Sequence, residues 1–386
     1  MYHIFFVLLF LFSTVDFFSS SVKKITALLS LGLLCFVTLR YGQGSDYFSY
    51  IYLFNNSAEK FELFLENGNL RYITQEIGFS AISYIWIILF KLSPELLSAL
   101  FSAVSYILTW LFIKKYSSNP IISLFFFYCT FYLIYPFSAI RQGICISIFI
   151  YYLIPLLYRK KYTRYFLLSL FLVSIHFSSI ILFILPIVNL VKKYKPRQIY
   201  ILSLISFLIG LVLYQALFSF FSTLDMISGK IEAYTETTSL DIMSLLLRTV
   251  IFIPIILTYK LYKRNSIRDL FLKIYILGFL LYLVFMASTL ISSRINVFMR
   301  YFEIILLVDF LLFVFKRVSN RVISYGYIFA IMTIVYVKNI DSFIDQGPYY
   351  NHINFYNYPY VSVFNKKKIV NEREIVPFYQ QYINYD

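Results

Sequence analysis

Twelve apolar blocks, most of them long enough to cross a bilayer, recur along this chain, near 2–19, 25–39, 77–91, 95–113, 121–137, 143–158, 165–191, 199–221, 245–262, 270–290, 299–315 and 321–337. A membrane-spanning helix takes about 20 mostly apolar residues. Hydrophobic residues fill 60% of the 386 positions and charged residues only 14%. A soluble chain carries about 25% charged residues, so a soluble globular fold is excluded. The expected fold is an all-α polytopic integral membrane protein with about 12 transmembrane helices, organised as one transmembrane domain over 1–386. Met1 to Phe18 is apolar, with Lys23–Lys24 after it rather than a charge before it, and it reads as an uncleaved first span. Cys35, Cys129 and Cys145 lie in or beside apolar runs, at spacings that suit neither a disulfide framework nor a zinc site. They read as small buried hydrophobes.

The net charge of +15 sits mostly in the connections. Basic clusters fall at Lys23–Lys24, Lys114–Lys115, Arg159 to Arg164, Lys192 to Arg197, Lys260 to Arg268 and Lys316 to Arg321. The positive-inside bias puts these on the cytoplasmic side. They therefore give no reason to expect nucleic acid as a partner. The stretch 40–76, with three basic and five acidic residues, reads as an outward loop. So does 222–244, with one basic and four acidic residues. The Tyr-rich tail from about 338 to 386 is expected outside as well. This assignment leaves a parity conflict between 76 and 114. Either 77–91 is a shallow or re-entrant helix, or part of 45–66 dips into the membrane. A break at His176, Ser178 and Ser179 divides 165–191 and restores the later parities.

Ionisable residues inside a membrane segment are costly and mark function or a buried pair. Four groups stand out. Arg40-Tyr41-Gly42-Gln43-Gly44-Ser45-Asp46-Tyr47 follows the second span. Its arginine suits phosphate, Gly42 and Gly44 allow a tight turn, and Asp46 is a candidate base. A snorkelling arginine before an exposed turn is the plainer reading. In Ile140-Arg141-Gln142-Gly143, an outward arginine in so short a turn needs an anionic partner, from protein, lipid or substrate. His176-Phe177-Ser178-Ser179 offers a second candidate base, or a packing histidine. Last, Arg294 and Arg300 flank a span start, and Glu303 shares a helix face with Arg300. No phosphate-binding glycine loop, HExxH or GxSxG occurs, so no nucleotide, metal or other cofactor is expected.

These four groups, in this order and spacing, resemble the EpsG family, Wzy-like polymerases of bacterial surface polysaccharide. The resemblance implies a GT-C-like membrane glycosyltransferase in the bacterial cytoplasmic (inner) membrane, working at its outer face. It implies an undecaprenyl-diphosphate-linked glycan as donor and a lipid-linked repeat unit as acceptor. Chain-length regulator and flippase proteins, with membrane lipids, are the further partners it implies. In that chemistry Arg40, Arg141, Arg294 and Arg300 would meet the diphosphate. Asp46 or His176 would take the acceptor proton, with Gly42, Gly44, Gln142 and Glu303 in support. Tyrosines of 47–52 and 349–360 would stack on sugar rings or sit as interface-belt aromatics. An O-antigen ligase, a lipid-linked oligosaccharide flippase and a membrane O-acyltransferase are the rival readings. The connection near 291–298 is short, where ligases carry a larger late loop.

Overall fold

The structure is a computed structural model. It describes residues 1–19, 23–44, 46–191, 196–212, 242–262, 266–286, 288–317, 321–345, 349–350, 360–366 and 374–375. Most of 222–244 and most of the tyrosine tail lie outside the described residues. Helices dominate: α1 (Tyr2–Ser19), α2 (Lys23–Thr38), α3 (Tyr47–Asn67), α4 (Ile77–Leu89), α5 (Pro94–Tyr116), α6 (Pro120–Tyr132) and α7 (Ile140–Tyr158). They continue with α8 (Tyr162–Ile175), α9 (Pro196–Val212), α10 (Ile242–Leu257), α11 (Ile267–Val284), α12 (Thr289–Arg300), α13 (Glu303–Arg317) and α14 (Arg321–Asp345). Two short 3₁₀ segments, Phe177–Phe183 and Leu185–Asn189, follow α8.

Among the described residues, α5 and α7 are long and apolar enough to cross a membrane, and eight more apolar helices are shorter. The helix ends follow local chemistry. Ser93 Oγ accepts from Leu96 N–H at the start of α5, Pro94 occupies the first turn, and Lys114 and Lys115 complement the dipole at the other end. Asn119 caps α6 in the same way. Large apolar side chains such as Leu28, Leu167, Leu170 and Leu204 stand exposed on their helices. Water would penalise such faces, and lipid would not.

Packing divides the chain into two compact units, 1–153 with 167–179 and 326–386, and 154–166 with 180–325. In the first unit α5 packs on α2, α3 and α7, and α3 on α4. Its core is aromatic. Phe6 stacks on Tyr336 at 4.2 Å, and Phe125 on Phe329 at 5.0 Å. Buried hydroxyls end on backbone oxygens, Tyr128 on Tyr2 O at 2.7 Å and Tyr132 on Leu33 O at 2.5 Å. The last turn of α6, Tyr128–Tyr132, is a π-turn. Two of its carbonyls, Cys129 O and Thr130 O, accept from Asn339 of α14, as expected where a widened turn loosens the ladder. In the second unit α11 packs on α9 and α12, and α10 on α13. Phe252 stacks on Phe279 with centroids 3.7 Å apart.

Two expectations change. The stretch 40–76 is not a loop throughout, because 47–67 forms the 21-residue helix α3. Its buried positions Tyr47, Phe48, Ile51, Phe54, Ser57 and Ala58 recur at helical spacing. Glu59, Lys60, Glu62 and Glu66 cluster toward its end and conceal that pattern from a hydropathy reading. Likewise 291–298 is not a short connection but lies in α12, which Ser288 caps through Ile291 N–H. The helix over 77–89 spans about 20 Å at 1.5 Å per residue. The break expected at His176 is present, since α8 ends at Ile175.

Candidate functional site

Three of the four motif groups meet within the first unit. After α2, residues 39–41 pair antiparallel with 361–363: Val363 N–H donates to Leu39 O and Tyr41 N–H to Val361 O, each at 2.9 Å. Val361 is fully buried among Tyr41, Tyr47, Phe48 and Ile51. Gly42 and Gly44 then take φ of 61° and 97°, a region that favours glycine. A side chain on Gly44 would meet Phe137 O at 3.0 Å. That close approach seats the Arg40–Asp46 turn against the segment leading to Arg141. Gln43 is buried and accepts from Tyr2 Oη at 2.5 Å.

Arg40 lies beneath this turn, only 3% exposed. Its Nη1 donates to Val37 O at 2.5 Å and Ser102 Oγ at 2.9 Å. The guanidinium faces the rings of Phe137 at 4.9 Å and Tyr47 at 5.7 Å. No carboxylate pairs with it among the described residues, and its buried Nε makes no hydrogen bond. Burial pulls its pKa down, and the neighbouring tyrosines, Tyr47 foremost, oppose that. Asp46 precedes α3 without capping it through its side chain, and is half-buried near Tyr50.

Arg141 opens α7. Its Nη1 donates to Glu76 Oε2 at 2.9 Å and to Gln75 Oε1 at 3.3 Å. Its face lies over Phe79 at 4.6 Å and Tyr50 at 5.6 Å. Both members of the ion pair are 13% exposed at the side chain. The other Glu76 oxygen, Oε1, accepts from Phe177 N–H at 3.2 Å. Gln142 Nε2 donates to Ser178 Oγ at 3.4 Å. The turn containing half-buried His176 is thus tied to Glu76 and to Gln142. Burial would raise the Glu76 pKa, but Arg141 and the N–H donors hold it below the ordinary carboxylate value. The stability this pair contributes is present above the ordinary carboxylate pKa and is lost as pH falls through the lowered one.

Gly143 completes the motif by packing. A side chain there would meet Tyr135 O at 2.8 Å and Ser105 Oγ at 3.1 Å. The carbonyl is backbone and cannot rotate away. Gly143→Ala should cost about 1–3 kcal/mol, the usual range for overpacking. A lowered thermal midpoint and reduced accumulation would register it; an unchanged midpoint would show that the Tyr135 segment can move away from α7 at little cost.

The remaining residues fall in the second unit. Arg294 is half-buried in α12. Arg300 and Glu303 pair at 3.3 Å across the Tyr301–Phe302 break between α12 and α13, as their spacing suggested. Tyr275 also donates to Glu303, at 3.1 Å. Asp309 accepts from Tyr262 at 3.1 Å and pairs with Arg268. Arg40 donates to Val37 and Ser102, whereas Arg141 donates to Gln75 and Glu76.

The sequence offers Tyr50 only as a sugar-stacking or interface tyrosine and does not single out Gln75 or Glu76. The Arg141 turn calls for an anion, but reading 40–76 as an outward loop leaves nothing that directs the carboxylate Glu76 to it. Tyr360 is a packing residue rather than an open platform: its ring lies 4.6 Å from Phe36 and its hydroxyl donates to Phe36 O at 2.9 Å. Tyr47 and Tyr50 are likewise buried. Among the described residues no three His, Cys, Asp or Glu side chains gather as a metal would require.

Comparison with known proteins gives one positive result. A family model described as the EpsG family matches residues 23–362. No match was found among curated proteins or solved structures.

Proposed function

The chain belongs to the EpsG family, and from that premise we propose that it polymerises surface-polysaccharide repeat units. Membership carries a membrane location and a role in polysaccharide synthesis. The finer reading is a multi-pass glycosyltransferase of the cytoplasmic membrane, with about 12 spans and a GT-C-like arrangement, acting at the outer face. Its donor is a glycan on undecaprenyl diphosphate, and its acceptor a lipid-linked repeat unit. The observation that carries this reading is the Arg141–Glu76 pair, which joins the Arg141 turn to the His176 turn beside the Arg40–Asp46 turn.

The reaction breaks the bond between the donor's anomeric carbon and the diphosphate oxygen. A bond forms from the acceptor hydroxyl oxygen to that carbon, and the hydroxyl proton leaves to a base. Asp46 and His176 remain the two candidates for that base. Charge grows on the departing diphosphate, and fixed guanidinium groups oppose it. Arg141 is the first candidate, since its fork suits phosphate oxygens. Arg40 of the same unit is proposed to add positive potential near that group; Arg294 and Arg300, the other two arginines that family resemblance offers for the diphosphate, lie in the second unit and are assigned no place in this site.

A gel of lipid-linked and surface glycan from a deletion strain, with and without the gene restored, tests the proposal. The expected result is a ladder of repeat units that collapses to single units on deletion and returns on restoration. A normal ladder lacking only its final attachment would instead indicate a ligase. Single units trapped inside the cell would indicate a flippase.

A further inference from the structure

Three segments of the first unit converge on one carboxylate. Glu76 sits immediately before α4, and α4 is seated closely on α8, where a side chain on Gly78 would meet Ser174 O at 2.9 Å. One Glu76 oxygen holds the Arg141 guanidinium of α7 at 2.9 Å, and the other holds the N–H of Phe177, directly after His176, at 3.2 Å. Gln75 adds a second acceptor to the same Arg141 nitrogen at 3.3 Å. Phe79 and Tyr50 lie against the guanidinium.

We infer that Glu76 is a positioning residue for the polymerisation reaction, fixing Arg141 and the His176–Phe177 turn in one geometry. The inference rests on the polymerase reading above. Phe79 and Tyr50 restrict tilting of the guanidinium. Tyr50 also hydrogen-bonds the guanidinium, and the Gln75 and Glu76 acceptors add the directional contacts from the α4 side. Both Glu76 oxygens are engaged in the resting site, so the carboxylate is poorly placed to receive the acceptor proton itself. An amide cannot replace it, because only one of its two terminal atoms accepts hydrogen bonds. Glu76→Gln therefore frees either Arg141 or the His176 turn. Misplacement of a catalytic group by about 1 Å can cost about 10²-fold in rate.

The test uses the full chain in liposomes with an undecaprenyl-diphosphate-linked repeat unit as substrate. In Glu76→Gln, kcat should fall about 10–100-fold while KM moves less than about 3-fold, the pattern of lost placement rather than lost binding. Glu76→Asp, which keeps both acceptor oxygens, should recover part of that loss. Adding Glu76→Gln to Arg141→Ala should cost clearly less than the product of the two single losses, because part of the first change acts through Arg141 and only the part through the His176 turn remains. A fold defect would not give this pattern, since its losses would multiply. Should Glu76→Gln fail to accumulate, Glu76→Asp carries the test. A kcat deficit at unchanged thermal midpoint supports the role, and an unchanged kcat overturns it. Wild-type activity with an unaffected Glu76→Gln, or with multiplying losses, would overturn the role of Glu76 alone. A wild-type chain that forms no polymer would overturn the polymerase reading and this role with it.

Discussion

Arg141→Ala should reduce the glycan ladder to single repeat units while most of the protein stays in the membrane. The substitution removes the guanidinium from its place over Phe79 and Tyr50. It also leaves Glu76 with the Phe177 N–H but without its cation. Removing one partner of a buried ion pair costs about 3–5 kcal/mol, toward the lower end where, as here, both side chains keep some exposure. That is tolerable against a typical net stability of about 5–15 kcal/mol. The loss in rate should be larger. Deleting one donor to a developing negative charge costs about 10²–10³ in kcat. Arg141→Lys should recover little, since an ammonium is a point charge and does not reproduce the planar fork. The readouts are a glycan gel and an immunoblot of the membrane fraction. Full-length polymer from Arg141→Ala would remove this arginine from the site.

Arg40 should behave differently, because burial dominates its surroundings. Arg40→Ala empties a nearly closed space between Phe137, Tyr47 and Ser102 and deletes the bonds to Val37 O and Ser102 Oγ. Large-to-small changes at such positions cost about 2–5 kcal/mol. A loss of that size should lower the membrane level of the protein severalfold. Arg40→Met keeps much of the volume and removes a buried charge that has no carboxylate partner. Exchanging buried charge for apolar volume is often neutral or stabilising, so the protein should accumulate near normally. If Arg40 adds positive potential at the diphosphate, this stable variant should still make little polymer. Normal polymer from Arg40→Met would confine Arg40 to anchoring the end of α2.

The contrast between the two arginines shows what the sequence could and could not convey. Both were legible as phosphate candidates from residue type and flanking motif. Their burial and partners were not legible, because these depend on contacts 60 or more positions apart, such as Arg40 with Ser102 and Arg141 with Glu76. The helical class was written plainly in the apolar runs, and so was the break at His176. The helix α3 was hidden because it mixes a buried aromatic face with a run of charges, so its mean hydropathy resembles that of a loop. Glu76 was hidden by the same error. The short Arg141 turn calls for an anion, and Glu76 supplies it from a stretch whose charges read as an outward loop. The Arg300–Glu303 pair was accessible in advance because a three-residue separation is a local property, and the pair persists although the helix breaks at Tyr301–Phe302. Nothing equally local marks Gly143 as a contact point between α5 and α7.

The most direct measurement is reconstitution of the purified full chain in liposomes, supplied only with undecaprenyl-diphosphate-linked repeat units. The expected products are glycans of two or more repeat units, with one undecaprenyl diphosphate released for each bond formed and no nucleotide sugar consumed. Repeat units that cross the bilayer unchanged, or remain single in the presence of folded protein, would contradict the assignment as a polymerase.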